Sequence, residues 1–200
     1  MTNLLDKSKY IKGLSMKTIG DLIPLNRTTL IYGRSGCGKS VSILKYLNKH
    51  NEIPYFIDFD SNDNIESLAS LNHIDGYLFW DNISTSNKDE VKQELSDKVF
   101  IIDTYAMADN YIKAKTDNKY SVTDLCSMLT SFGSTVIVIA HAIYYSGKDA
   151  EPDVDTIWSN HIGCKLHLHK DILKTKTNIY LEVEKLRGYN GPDIINDWMR

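Results

Sequence analysis

The chain has 200 residues, of which 42% are hydrophobic, enough for one compact domain whose core needs no disulfide or structural metal. Its 23 basic and 26 acidic residues give a formal net charge of -3, which excludes the global positive field of many nucleic-acid-binding proteins. Cys37, Cys126 and Cys164 form no CxxC pair, so we predict neither a disulfide framework nor a zinc site and expect a reducing cytoplasm. The amino terminus lacks an uninterrupted apolar stretch, so neither secretion nor membrane insertion is predicted.

Strands and helices are predicted to alternate along the chain. Short apolar runs predict strands at residues 28–32, 55–57, 77–80, 99–102 and 135–140. Helical spacing between them predicts helices at residues 41–47, 65–69, 91–95 and 122–132. The continuous apolar runs indicate strands that are covered on both faces, and the alternation predicts a parallel sheet with right-handed crossovers.

The pattern changes after His141. An acidic stretch at residues 146–155 precedes two segments, 165–169 and 178–185, whose alternation predicts an antiparallel strand pair added to the sheet. No repeat or linker divides the chain. We therefore predict one α/β domain at residues 21–200, after an extension at 1–20 that can contact a neighbouring subunit.

A phosphate-binding loop is predicted between the first strand and the first helix. The segment reads Gly33, Arg34, Ser35, Gly36, Cys37, Gly38, Lys39 and Ser40, which satisfies G-x-x-x-x-G-K-[ST] in full. Its glycines let backbone N–H groups wrap a phosphate at the positive end of the following helix. We expect Lys39 to reach the β- and γ-phosphates and the Ser40 hydroxyl to bind Mg²⁺; the alternative is a glycine-rich turn that matches by chance.

A second metal ligand is predicted at Asp103. It ends the apolar run 99–102, and ligands of open α/β sheets bind at the carboxyl ends of strands. The run has the form of a Walker B strand. The alternative is that Asp103 merely caps the next helix.

Five features in order resemble the RecA-like family of recombinases and ring helicases, over most of the chain from Asp21 to Pro192. They are the entry into the P-loop at 25–33, the next strand at 55–60, Asp103, the strand 136–140 ending in His141, and the segment Glu184 to Gly188. The resemblance implies a RecA-like P-loop fold, with a mostly parallel central sheet flanked by helices and a carboxyl-terminal antiparallel strand pair. It also implies ATP and Mg²⁺ as cofactors.

The resemblance implies further catalytic roles. Asp60 stands where the family has a catalytic glutamate and would activate the attacking water, although its reach is one methylene shorter, so Asp58 is kept as a substitute. His141 stands where the family senses the γ-phosphate. For each residue an alternative remains open. Asp60 can be an ordinary solvated acid in a turn, and His141 can be a histidine whose hydrogen bonds are satisfied at the edge of the sheet.

The resemblance also places Lys185 and Arg187 as the K-x-R pair that touches a neighbouring subunit's nucleotide, which implies a homo-oligomer, ring or filament. The two residues share one face of a strand, and a solvated basic edge is the alternative. Among RecA-like proteins, the chain resembles short phage-type recombinases that accompany single-strand annealing.

That resemblance implies DNA-dependent ATP hydrolysis with single-stranded DNA as partner, in recombination, annealing or replication. The family places its DNA-contacting loops at positions that correspond to residues 104–120 and 143–160. The first offers Tyr105, Tyr111, Lys113, Lys115 and Lys119, a mixture suited to base stacking and phosphate contact. The second is acidic, so DNA binding is inferred from the family rather than from charge.

Two other classes remain open. A nucleotide or nucleoside kinase also needs a P-loop, but kinases of this type surround the phosphates with several arginines, and this chain has only Arg27, Arg34, Arg187 and Arg200. A nucleotide-binding assembly protein with little hydrolysis is the non-enzyme alternative. A further basic zone comprises His161, Lys165, His167, His169, Lys170, Lys174 and Lys176; its spacing fits no zinc site, and we interpret it as a solvated hairpin.

Overall fold

The computed structural model of the chain describes residues 18–61, 65–67, 69–144, 150–172, 177–186 and 194–196. The extension predicted at residues 1–20 lies almost wholly outside them, although Thr18–Ile19 (β1) pairs with Ile23–Pro24 (β2) as a small antiparallel ribbon. No helix among the described residues is long and apolar enough to cross a membrane.

The remaining strands form one sheet with helices between them. In chain order the elements are β3 (Thr28–Gly33), α1 (Lys39–Lys49), β4 (Tyr55–Asp58), β5 (Asn72–Asp75), α2 (Gly76–Thr85), α3 (Lys88–Leu95), β6 (Val99–Asp103), α4 (Tyr105–Lys115), α5 (Val122–Ser131), β7 (Thr135–Ile143), β8 (Glu151–Pro152), α6 (Thr156–His161), β9 (Cys164–Ile172), β10 (Thr177–Leu186) and β11 (Ile194–Asn196).

The sheet order is β11-β10-β9-β3-β7-β6-β4-β5, and β8 pairs with the end of β7. All pairings from β9 to β5 are parallel, while β9–β10 and β10–β11 are antiparallel. This confirms the predicted parallel sheet and its antiparallel addition. The P-loop strand β3 lies centrally, because β7 and β9 flank it.

Each face of the sheet has its own core. Side chains alternate along β3, so Leu30 and Tyr32 join the core beneath α2 to α5, while Ile31 joins the core beneath α1. The central strands are therefore buried on both sides, which is why their sequences are continuously apolar.

Among the predicted strands and helices, two are wrong. Residues 77–80 belong to helix α2, not to a strand, because Asp75 caps the helix by accepting a hydrogen bond from the Leu78 N–H, and Phe79 and Trp80 are buried on its inner face. The strand is instead the preceding segment, β5. The helix predicted at residues 65–69 is a single 3₁₀ turn at Ile65–Ser67.

Candidate nucleotide-binding site

The P-loop connects β3 to α1 at the carboxyl edge of the sheet. Gly36 and Gly38 have φ of +68° and +92°, left-handed values that glycine adopts without strain. A Cβ on Gly33 would lie 2.4 Å from the Leu168 carbonyl oxygen of β9, so the close packing of the neighbouring strand also requires glycine there. The tertiary structure thus gives physical reasons for all three glycines of the motif.

Lys39 lies folded back over its own loop. Its Nζ donates to the Gly33 and Arg34 carbonyl oxygens at 3.1 Å and 3.0 Å, and the residue is only 6% exposed. Burial lowers the pKa of the amine, because desolvation disfavours the charged form. An anion bound in the loop would offset this cost by favouring the charged amine, so the arrangement fits a phosphate.

Ser40 and Asp103 meet as predicted. The Ser40 hydroxyl donates to Asp103 Oδ2 at 2.5 Å, which joins the start of α1 to the end of β6. Thr104, and not Asp103, is the N-cap residue of α4. A hydroxyl and a carboxylate in contact are oxygen ligands of the kind that Mg²⁺ prefers.

Asp103 is 2% exposed, and burial raises its pKa to about 6, with Asp58 and Asp60 contributing in the same direction. A carboxyl group whose pKa is raised on folding makes the protein less stable as pH rises from its unfolded to its folded pKa. Its charge therefore opposes folding at neutral pH in the absence of a cation. A bound Mg²⁺ would reverse that penalty.

We expect Asp103→Asn to stabilise the Mg²⁺-free protein at pH 7.5 by up to about 3 kcal/mol, the equivalent of about two pKa units. The amide oxygen keeps an acceptor for Ser40 but carries no charge. Urea unfolding of both proteins at pH 7.5 and pH 4 would measure the difference, which should shrink at pH 4, where Asp103 is protonated. An equal difference at both pH values would contradict the assignment.

Asp58 and Asp60 occupy different environments at the end of β4. Asp58 is 5% exposed; its Oδ1 accepts the Asp60 backbone N–H at 2.8 Å, and its Oδ2 lies 3.2 Å from His73 Nε2. His73 Nδ1 in turn lies 3.0 Å from Glu66. Asp60 is exposed, and it lies within electrostatic reach of Lys39 and Asp103. The Asp58 carboxylate is thus buried and hydrogen-bonded, while Asp60 is exposed to solvent.

His141 lies beside the first glycine of the P-loop, because β3 and β7 pair Gly33 with His141. Its Nδ1 is buried and has no hydrogen-bond partner among the described residues. Burial lowers the pKa of the ring, Lys39 lowers it further, and Asp60 and Asp153 oppose this. His141 therefore carries a neutral ring with an unused polar atom next to the phosphate loop, which fits a group that hydrogen-bonds a bound phosphate.

Sequence reasoning assigned no role at the site to three residues that lie there: Lys170, Tyr144 and His73. Lys170 of β9 donates to the Gly36 carbonyl oxygen at 3.2 Å, and the Arg34 guanidinium stacks on Tyr144, 4.4 Å from the ring centroid. His73 lies on β5, where no strand was predicted. None of them belongs to a local motif, so only strand pairing could reveal them.

The first predicted DNA-contacting loop is wrong, because residues 105–115 form helix α4. Tyr105 is buried, and burial raises its pKa to about 12. Tyr111 donates to Asp81 at 3.0 Å, and Lys113 pairs with Asp109 at 2.5 Å. Lys115 also reaches Asp81, at 3.4 Å. Four of the five proposed contact residues are therefore engaged within the protein.

In the turn that follows α4, Lys119 lies over the exposed Tyr120 ring, with 5.2 Å between Nζ and the ring centroid.

The second predicted loop contains β8 and helix α6, and its residues 145–149 lie outside the described ones. Lys185 lies on β10 opposite Lys165, and Arg187 is outside the described residues.

The basic zone of the sequence faces acidic side chains of β10. His167 lies opposite Glu182 in the strand register, and Lys165 pairs with Glu184 at 2.9 Å. Burial lowers the pKa of His167 to about 4, with smaller contributions from His169 and Lys165, so this ring is neutral at pH 7. The described part of the zone is thus a partly buried mixed cluster, which corrects the interpretation as a solvated basic hairpin. Lys174 and Lys176 lie outside the described residues.

No protein-family model and no curated protein matches the sequence. Among solved structures, the chain is similar to the KaiC-like protein PH0186 from the hyperthermophilic archaeon Pyrococcus horikoshii OT3, with a TM-score of 0.60 and 15% sequence identity. The alignment covers 90% of this chain and 93% of that one. At this identity the likeness establishes architecture alone. The chain therefore has a RecA-like P-loop fold.

Proposed function

We propose that this protein binds Mg-ATP and hydrolyses it. The proposal depends chiefly on two contacts at the carboxyl edge of the sheet. Lys39 bonds the P-loop backbone, and the Ser40 hydroxyl bonds Asp103. The buried Nδ1 of His141 beside Gly33 supports the proposal, because this atom has no hydrogen-bond partner among the residues that the structure describes and a γ-phosphate oxygen would supply one. ATP is preferred to GTP on the RecA-like resemblance of the sequence.

The residues would divide the work of phosphoryl transfer. P-loop backbone N–H groups and Lys39 hold the phosphates, while Ser40 and Asp103 hold Mg²⁺, which offsets charge on the transferring phosphoryl group. Asp60 orients or deprotonates the attacking water, and His141 senses the γ-phosphate. Asp58 is a positioning residue, because its carboxylate bonds the Asp60 backbone N–H.

We propose further that single-stranded DNA is the partner and that the active site is completed between subunits of a homo-oligomer. Both rest mainly on the resemblance to phage-type recombinases. For DNA, the exposed pair Lys119 and Tyr120 offers a cation and an aromatic ring on one turn. For assembly, Lys185 and Arg187 would reach a neighbour's γ-phosphate, where a cation supplied in trans stabilises transition-state charge.

Phosphate release from Mg-ATP, measured across a dilution series with and without single-stranded DNA, tests these proposals. We expect DNA to raise the rate, the stimulation to fade with added salt, and specific activity to fall on dilution.

Arg187→Ala should be inactive alone and regain activity when mixed with inactive Lys39→Ala, since some interfaces then pair an intact loop with an intact Arg187. If a proven monomer keeps full specific activity, the shared site is wrong and a self-contained ATPase or kinase is favoured. Nucleotide binding without phosphate release would favour a binding-only assembly protein.

A further inference from the structure

A cluster of imidazole and carboxylate groups that the proposed nucleotide site does not use lies on the strand pair β9–β10. His167 and His169 are two apart on β9 and project from the same face, and Glu182 lies opposite His167 on β10. One nitrogen or oxygen atom from each of these three residues can be chosen so that all three atoms lie within 4.8 Å of one another. We call His167, His169 and Glu182 the imidazole cluster.

His167 is a buried side chain without a hydrogen bond among the described residues. It is 5% exposed, and its Nε2 has no partner there. Its Nδ1 lies 3.7 Å from Glu182 Oε2 and 3.8 Å from Glu184 Oε1, which is too far for a hydrogen bond. Because Nδ1 faces two carboxylate oxygens beyond hydrogen-bond distance, there is space for an ion between this nitrogen and the carboxylates.

The spacing fits a metal ion. Ligands about 2.0–2.1 Å from a tetrahedral Zn²⁺ lie about 3.3 Å from one another. In the cluster, His169 Nε2 and Glu182 Oε2 are 2.8 Å apart, and His167 Nδ1 and Glu182 Oε2 are 3.7 Å apart. These two distances bracket the tetrahedral value, and one ligand atom from each histidine lies within 4.8 Å of the other, so side-chain shifts would place the three ligands around one ion.

The surrounding groups would orient such ligands. Tyr32 of β3 stacks on His167, with ring centroids 4.2 Å apart, and Tyr180 stacks on His169 at 4.6 Å. Tyr32 also donates to Glu184, and Lys165 pairs with that same carboxylate. The two rings and Glu184 are thus held in place by aromatic stacking and charge, in the way that outer residues fix metal ligands.

We propose that His167, His169 and Glu182 bind one divalent transition-metal ion, Zn²⁺ foremost, with a fourth position left to water. Imidazole with one carboxylate suits Zn²⁺, Co²⁺ or Ni²⁺ better than Mg²⁺, which prefers oxygen ligands. The ion would cross-link β9 to β10 and lie against Tyr32, the residue before Gly33. This site is separate from the proposed Mg²⁺ position at Ser40 and Asp103 and does not depend on nucleotide hydrolysis.

The test uses the full chain, stripped with a chelator and returned to buffer with excess Mg²⁺, so that the P-loop site is not available to other ions. Zn²⁺ is then titrated against a chromogenic chelator, and Co²⁺ is added separately to read its coordination from the visible absorption. We expect one Zn²⁺ per chain, a four-coordinate Co²⁺ spectrum, and a Zn²⁺-dependent rise in Tm.

His169→Ala and Glu182→Gln should each weaken Zn²⁺ binding by at least about a hundredfold, since even outer-shell changes cost 10–100-fold, and should remove the rise in Tm. His50→Ala, which removes an imidazole at the end of α1, is the matched control and should bind as the wild type does. His169 and Glu182 are only partly buried, and Glu182→Gln preserves the shape of the side chain, so we expect both variants to fold. Circular dichroism verifies this. The proposal is overturned if the wild type takes up no Zn²⁺, or if both variants bind it as the wild type does.

Discussion

Replacing Lys39 with alanine is expected to reduce Mg-ATP turnover by about two to three orders of magnitude, the usual range for removing one preorganised electrostatic contact to a transition state. In the structure its Nζ bonds two loop carbonyl oxygens and is nearly shielded from solvent. A bound triphosphate offers this buried amine a stronger partner than neutral carbonyls, because hydrogen bonds between charged groups are shorter and stronger.

The measurement is single-turnover phosphate release together with nucleotide binding at equilibrium. Lys39→Met, which retains the packing of the aliphatic stem, separates the loss of charge from the loss of packing. Lys45→Ala is the matched control, since Lys45 is an exposed lysine on the same helix. Undiminished turnover in both Lys39 variants would remove the P-loop from the chemistry.

Asp60→Asn is expected to lower kcat by about two to four orders of magnitude while nucleotide affinity is largely kept, as removal of a general base does. Asp60 is an exposed acid within electrostatic reach of Lys39 and Asp103, which is why we propose it as the base for a water at the γ-phosphate. Asp58 is enclosed by His73 and by the Asp60 backbone N–H, so it has fewer free acceptor positions for such a water.

Asp60→Glu and Asp58→Asn complete the comparison. The glutamate restores the reach of the residue that RecA-like proteins have at this position, so we expect it to keep or raise kcat. Asp58→Asn removes the charge that faces His73, and we expect it to lower the free energy of unfolding as well as kcat. If Asp60→Asn turns over normally and Asp58→Asn alone abolishes turnover at unchanged stability, Asp58 is the base.

The P-loop, the central strands and the parallel character of the sheet could be predicted because their signals are local. A phosphate loop needs glycines and a lysine at fixed spacing, and a strand buried on both faces needs a continuous apolar run. The same local reasoning failed at residues 77–80, where apolar and aromatic residues suit either a strand or a buried helix face. There the Asp75 cap and the burial of Phe79 and Trp80 decide for a helix.

By itself, the sequence singled out the candidates for phosphate and metal contact: Lys39, Ser40 and Asp103 each follow from a motif or from a strand end. Only the tertiary structure decided which other groups surround them, because strand pairing joins residues that are far apart in the chain. Register places His141 beside Gly33, β5 brings His73 to Asp58, and β9 carries Lys170 to the loop. The same pairing sets Glu182 opposite His167, so two histidines on one face of β9 meet a third candidate ligand across the strands.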